Sequence, residues 1–282
     1  MYVVSDVVLE VIPPFTLLSI RLLLGLLVLI LTMRLMRQPI ALPLSDAARL
    51  FGVGFIGFGI SVGAQFVGTD ASTAVNGTLI TSASPAFILL FAALLLRERL
   101  TPRRIAAVAL ATVGVVVIID LANADFSSQT FFGDSALVVA ALSWGLYSVL
   151  VRRVSMGSRG TLIITLYGFI GGLALTLPAA VVELAGERSI GAITFPVILG
   201  ILYLGVVSTA LAMWLWSRAF ALVDASVASL YFFAQPLVGA LLSVVVLGQA
   251  MTANLWLGSG LIIAGVVLAT VQFRRRADSA LS

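Results

Sequence analysis

Residues 84–101 read SPAFILLFAALLLRERLT, and residues 235–252 read QPLVGALLSVVVLGQAMT. Each has a proline near the start of an apolar run and a threonine at its close. Laid over one another at an offset of 151 without a gap, residues 74–119 and 225–270 agree at 11 of 46 positions, among them Pro85, Thr101 and Gly114. Leucines and valines coincide by composition alone in so apolar a chain. The proline, threonine and glycine carry more weight because they fall at matching places in a pair of helices. A second anchor lies upstream: at an offset of 145, Tyr2 meets Tyr147, Thr16 meets Thr161 and Leu17 meets Leu162. The chain therefore reads as two copies of a five-helix unit. Five is odd, so the second copy lies upside down relative to the first in a membrane.

The composition requires a membrane. Of 282 residues, 61% are hydrophobic and 10% charged, with a mean hydropathy of +1.18; a soluble domain carries roughly 25% charged residues. The isoelectric point near 10.1 comes from few, scattered arginines, which fit the flanks of membrane helices and not a nucleic-acid surface. With no cysteine and no histidine, disulfides, thiol nucleophiles and imidazole chemistry are excluded, as are a Ser-His-Asp triad and a histidine zinc site. No phosphate-binding G-x-x-x-x-G-K-[ST] loop occurs. The expectation is a non-enzyme without cofactor or metal. Its partners are a small-molecule substrate and the lipid bilayer.

A helix crosses the hydrocarbon core in about 20 residues. Nine apolar segments of about that length fall at 15–36, 49–69, 73–95, 103–121, 133–151, 159–182, 196–217, 225–247 and 254–273, after a short apolar stretch before Pro13-Pro14. If the ten segments alternate, fourteen of the sixteen basic residues, all arginine, fall on one side. They include Arg34, Arg97, Arg152 and Arg274. That side is cytoplasmic by the positive-inside rule, and the C-terminal tail, 274–282, lies there. The other side collects Glu10, Asp70, Asp120, Asp125, Asp134, Glu183 and Glu187. The expected fold is an all-α integral membrane protein, a ten-helix transporter of two inverted five-helix repeats, residues 1–122 and 133–273. The N-terminus lacks the features of a secretory signal. No counterpart of Gly133–Leu146 precedes Tyr2, so the first helix is expected to be incomplete, with its true start upstream.

Ten helices, a five-plus-five repeat, the SWGLYSVLVRR opening of the second copy and the P…E-x-L-T close of the fourth helix resemble the drug/metabolite transporter (DMT) superfamily. The EamA-type branch, with its YddG-like amino-acid exporters, is the most similar. The resemblance implies export of small metabolites from a central cavity lined by the first, third, fourth, sixth, eighth and ninth helices. Asp6 stands where many relatives carry a basic residue, and Glu98 becomes Gln249 in the second copy.

Candidate site residues follow from chemistry within the apolar segments. Pro85 and Pro236 each remove a backbone N–H, leaving the carbonyls of Thr81 and Phe232 without their usual partners; they read as hinges or as tolerated kinks. Asp6 and Arg21 flank the Pro13-Pro14 turn at equal distance and are expected at equal depth, as a proton-coupling pair or a structural one. Trp144 and Tyr147, three apart on one helix, join Trp214, Tyr231, Gln235, Gln65, Asn76 and Ser82 as candidate substrate-binding residues. Aromatic walls with a few amides suit zwitterionic or aromatic solutes; interfacial belts and helix bridges are the alternative. Gly52, Gly59 and Gly63 share one face of the third helix and are expected to pack against a neighbour. An exporter of amino acids or related amphipathic solutes by alternating access across the bacterial inner membrane is the expected function. Other solutes (drugs, nucleosides, sugars) or a clipped, non-transporting paralogue remain the alternative.

Overall fold

Prolines set the starts of several helices, as expected of a residue whose missing N–H costs nothing in a first turn. Pro14 opens one helix after Pro13, and Pro102 opens another. The computed structural model describes residues 2–72, 74–118, 127, 130–156, 160–186, 189–234, 238 and 253–280, without the side chains of 2, 3, 5, 6, 74, 75, 255 and 269–280. Among the described residues all regular structure is helical. The helices are α1 (Tyr2–Leu9), α2 (Pro14–Leu35), α3 (Leu44–Asp70), α4 (Ala74–Thr81 and Ser84–Leu96), α5 (Pro102–Ile118), α6 (Phe131–Ser155), α7 (Thr161–Ala185), α8 (Phe195–Leu222), α9 (Ala225–Ala228, continuing as a 3-10 turn over Ser229–Phe233) and α10 (Ala253–Ala280). The described part of each apolar segment marked in the sequence falls on one of them. Among the described residues six helices, α2, α3, α4, α6, α7 and α8, are long and apolar enough to cross a membrane, and the chain is a multi-pass membrane protein.

The chain divides into two compact units, one of residues 1–66 and 146–222, the other of 67–145 and 223–282. The first holds α1, α2, α7, α8 and most of α3, with the end of α6. Its α1 buries Val8, and the turn after it buries Ile12, against Leu17 of α2 and Val197 and Leu204 of α8. The helices α3 and α7 touch backbone to backbone. A Cβ on Gly54 would collide with the backbone of Gly168, and one on Gly171 with the carbonyl of Phe51. Small residues give this approach where lipid offers no hydrophobic drive between helices. Beside the contact, the Phe58 ring meets the edges of Tyr147 and Phe169 at centroid distances of 5.1 and 4.9 Å, separations typical of aromatic pairs.

Here one expectation is corrected. Gly52 has no atom within 4 Å of where its Cβ would stand, so it packs against nothing. Gly59 approaches Leu175, and Gly63 meets Phe15 at ordinary distance. The reason is a change of period: Phe55–Ser61 is π-helical. A face drawn at about 100° per residue slips out of phase across such a wider turn. A second π stretch, Tyr203–Leu211, lies in α8.

In the second unit α5 and α10 pack as closely, Gly114 against the carbonyl of Gly258 and Gly265 against that of Ala107. Leu89, Val108, Ala111, Val115, Phe233 and Ile262 share its core. Helix α4 is interrupted before Pro85. The carbonyl of Thr81, which would have taken the proline's N–H, instead accepts the Ser84 hydroxyl at 2.7 Å. Hydroxyls of Ser82 and Thr81 turn back to the carbonyls of Leu79 and Gly77, both at 2.6 Å. The interruption is thus satisfied by its own side chains, as a break at membrane depth requires.

Two glutamates join helices end to end. In the first unit, Glu183 near the end of α7 accepts the N–H groups of Phe15 and Thr16 at 3.2 and 2.8 Å and the Thr16 hydroxyl at 3.0 Å. In the second, Glu98 just past α4 accepts the N–H groups of Ala225 and Ser226 at 2.8 and 3.2 Å and the Ser226 hydroxyl at 2.7 Å. Each carboxylate satisfies first-turn donors that have no partner within their own helix.

Candidate functional site

The sequence-derived residues divide between the two units. Arg21, Gln65, Tyr147 and Trp214 fall in the first; Asn76, Ser82, Pro85, Trp144 and Tyr231 fall in the second. The side chain of Asp6, and Gln235 and Pro236 altogether, lie outside the described residues.

In the first unit, Arg21 is 5% exposed in the interior of α2. Its Nε donates to the hydroxyl of Thr209 at 3.1 Å, on the π-helical stretch of α8. Its Nη1 is buried with no hydrogen-bond partner among the described residues. A guanidinium at this depth is expensive to desolvate, and one open N–H adds to that cost. The arrangement presents a directional donor left unmatched among the described residues.

Tyr147 is 2% exposed. A Cβ on Gly57 would strike its ring, so the glycine makes room for it. A side-chain hydrogen bond links Tyr147 to Ser217. The Thr165 hydroxyl donates to the Thr161 carbonyl at 2.9 Å and is hydrogen-bonded to the Ser217 hydroxyl at 3.0 Å. Trp214 donates its indole N–H to the Thr161 hydroxyl at 3.1 Å, while the Arg218 guanidinium stands 5.8 Å from the Trp214 ring centre, within cation–π range. Tyr147 and Trp214 are thus anchored by one run of hydroxyls along α7 and α8. Gln65 is half-buried on α3. Arg152 ties the end of α6 to that of α8, donating to the carbonyls of Phe220 and Ala221 at 3.2 and 2.7 Å.

In the second unit, Asn76 is fully buried. Its amide donates to both carboxylate oxygens of Asp134, at 3.0 and 3.2 Å, and the Ser72 hydroxyl donates to the same group at 2.5 Å. Asp134 sits in the first turn of α6, where a negative charge is favoured. Ser82 is buried on its own backbone bond. Trp144 is half-buried on α6, and Tyr231 is 53% exposed on α9. Among the described residues no group of acidic side chains could hold a metal ion.

Thr209, Ser217, Asp134 and Glu183 were not singled out as site residues by the sequence. Each is defined by a partner at least 52 positions away, and no local pattern announces such pairings. Glu98 was visible only as one letter of the P…E-x-L-T close.

The family model for EamA-like transporters matches this chain over residues 1–120 and 131–271. A Salmonella typhimurium protein named "Uncharacterized inner membrane transporter YicL" is 29% identical over 214 residues, covering 75% of this chain and 69% of its own. Another from the same organism, named "Probable amino-acid metabolite efflux pump", is 26% identical over 210 residues, covering 73% and 70%. A crystal structure at 23% identity aligns with a TM-score of 0.82 over 97% of this chain and 92% of the other, which shows a shared fold. With matches that span nearly its whole length, and with relatives named as transporters, this chain belongs to the EamA-like transporter family.

Proposed function

We propose that the chain is a secondary transporter that exports small metabolites, amino acids or related amphipathic solutes foremost, across the bacterial inner membrane. Two inverted repeats would expose a shared midplane site to each side by turns, with the C-terminal tail in the cytoplasm. The observation that carries the substrate class is Arg21, buried in α2 with an Nη1 that no described group accepts. A carboxylate is the acceptor such a fork suits best, through short charge-assisted hydrogen bonds. The relative named as a probable amino-acid metabolite efflux pump supports the same class. The pair of segments over which the family model matches suits a duplicated unit. Proton coupling through Asp6 belongs to this reading, the acid lying on α1, which packs beside α2 and α8.

Proteoliposomes test it directly. Labelled amino acids are expected to cross faster than labelled nucleosides or sugars. In Arg21→Met the preference for carboxylates is expected to vanish, with KM for amino acids raised by roughly tenfold or more, the equivalent of one hydrogen bond to a charged group. The protein should stay folded, since the bond lost among the described residues is the single one to the Thr209 hydroxyl, worth about 1 kcal/mol. Transport of nucleosides or sugars but not amino acids would overturn the substrate class. Unchanged selectivity in Arg21→Met would remove Arg21 from the site.

A further inference from the structure

The clamps at Glu183 and Glu98 are the same device. In each, a carboxylate at the C-terminal end of one helix receives two backbone N–H groups and one hydroxyl from the first turn of another. Each lies within a single unit, joining α7 to α2 in the first and α4 to α9 in the second. The repeat offsets reveal an asymmetry. The offset of 145 carries Glu183 onto Gln38, and the offset of 151 carries Glu98 onto Gln249. Both acids therefore have an amide at the matching position; Gln249 lies outside the described residues, and among the described residues the α2–α7 pair has a charged clamp at one end only.

The consequence is visible at the other end of the α2–α7 pair. The Gln38 amide oxygen stands 4.0 Å from where a Cβ of Gly160 would be. The Thr161 hydroxyl, the counterpart of Thr16, is occupied by the Trp214 indole instead. In the second unit the clamp is reinforced: Arg104 lies 3.8 Å from Glu98 and 2.6 Å from Asp224, which precedes α9. Glu98 and Arg104 have side-chain exposures of only 10% and 16%. A charge-assisted bond is roughly twice as strong as a neutral one, so the two ends of the α2–α7 pair differ in how readily they part.

We infer that Glu183 is a positioning residue that confines separation of α2 and α7 to the end beside Leu35 and Gly160. This rests on the inverted topology proposed above, which places Glu183 on the acid-rich face of the membrane. The passage to the cytoplasm then opens within the first unit.

Because the chain has no cysteine, pairs of introduced cysteines can carry spin labels without background. One pair at Leu35 and Gly160 and another at Val11 and Val182 report the two ends of α2–α7. Distances are read in lipid, without solute and with a mixture of the twenty amino acids. The first pair is expected to give a broad or double distribution and the second a narrow one. Glu183→Gln should raise the parted population at Val11–Val182 by roughly tenfold, the counterpart of one charge-assisted hydrogen bond. The exchange Glu183→Gln with Gln38→Glu should move the broad distribution to the other end, which a cap acting only on stability would not do. Equal widths at both ends of the parent, or an exchange that moves nothing, would overturn the inference. The distances are read whether or not solute crosses. Failure of all transport with the pattern intact counts against the exporter reading alone; normal transport without the pattern counts against the Glu183 clamp alone.

Discussion

A single methyl group separates two glycines of α3 that look alike in the sequence. At Gly54 a Cβ would collide with the Gly168 backbone, whereas at Gly52 it would meet nothing within 4 Å. Gly54→Ala is therefore expected to force α3 away from α7 at a cost of about 1–3 kcal/mol. Gly52→Ala should be neutral or stabilising by up to about 1 kcal/mol through helix propensity. Thermal unfolding in detergent compares them, and equal losses would contradict the packing described. The sequence alone pointed to Gly52, Gly59 and Gly63 because an unbroken α period was assumed. The glycines of α3 in close contact, Gly54 against the Gly168 backbone and Gly57 against the Tyr147 ring, became identifiable only with the π-helical stretch that follows Gly54.

At the scale of the element, the interruption of α4 is a matched pair of defects. Pro85 withholds an N–H from the Thr81 carbonyl, and the Ser84 hydroxyl supplies a replacement at 2.7 Å. Ser84→Ala should cost about 1–3 kcal/mol, the price of a buried acceptor left unmet. In Ser84→Ala with Pro85→Ala the backbone N–H returns, and the loss should be smaller than the sum of the two single losses. Strict additivity in that cycle would show that the hydroxyl does not serve the carbonyl. The proline and the orphaned carbonyl were legible in the sequence, because both follow from covalent structure. The serine's role was not, since a hydroxyl beside a proline can turn to several acceptors. The same limit applies to α7 and α9: their apolar runs were evident, while the trans-helix bonds of Glu183 and Glu98 depend on which helix ends the fold brings together.

For the whole molecule, the apolar segments and the one-sided arginines were enough to read a multi-pass helical membrane protein. Such patterns come from the solvent, since lipid demands long apolar helices and retains positive flanks on one side. The setting of Arg21 was not readable, because Thr209 lies 188 positions away. Sidedness follows from the alternation of segments and has a direct check. Single cysteines at Leu35 and Met156, both well exposed, should react with a membrane-impermeant maleimide from the same side, and one at Phe131 from the opposite side. Reaction of Leu35 and Met156 from different sides would abolish the inverted arrangement and with it the rationale for an alternating carrier.

The stretches Phe55–Ser61 and Tyr203–Leu211 give two of these rods a further capacity. A wide turn lodges a surplus residue in an otherwise regular spiral, and that surplus is portable. Handing it along the rod requires only that a few amides exchange acceptors, and each side chain it passes swivels by about 100°. The rod need not lengthen, bend or unwind to show its surroundings a different row of groups.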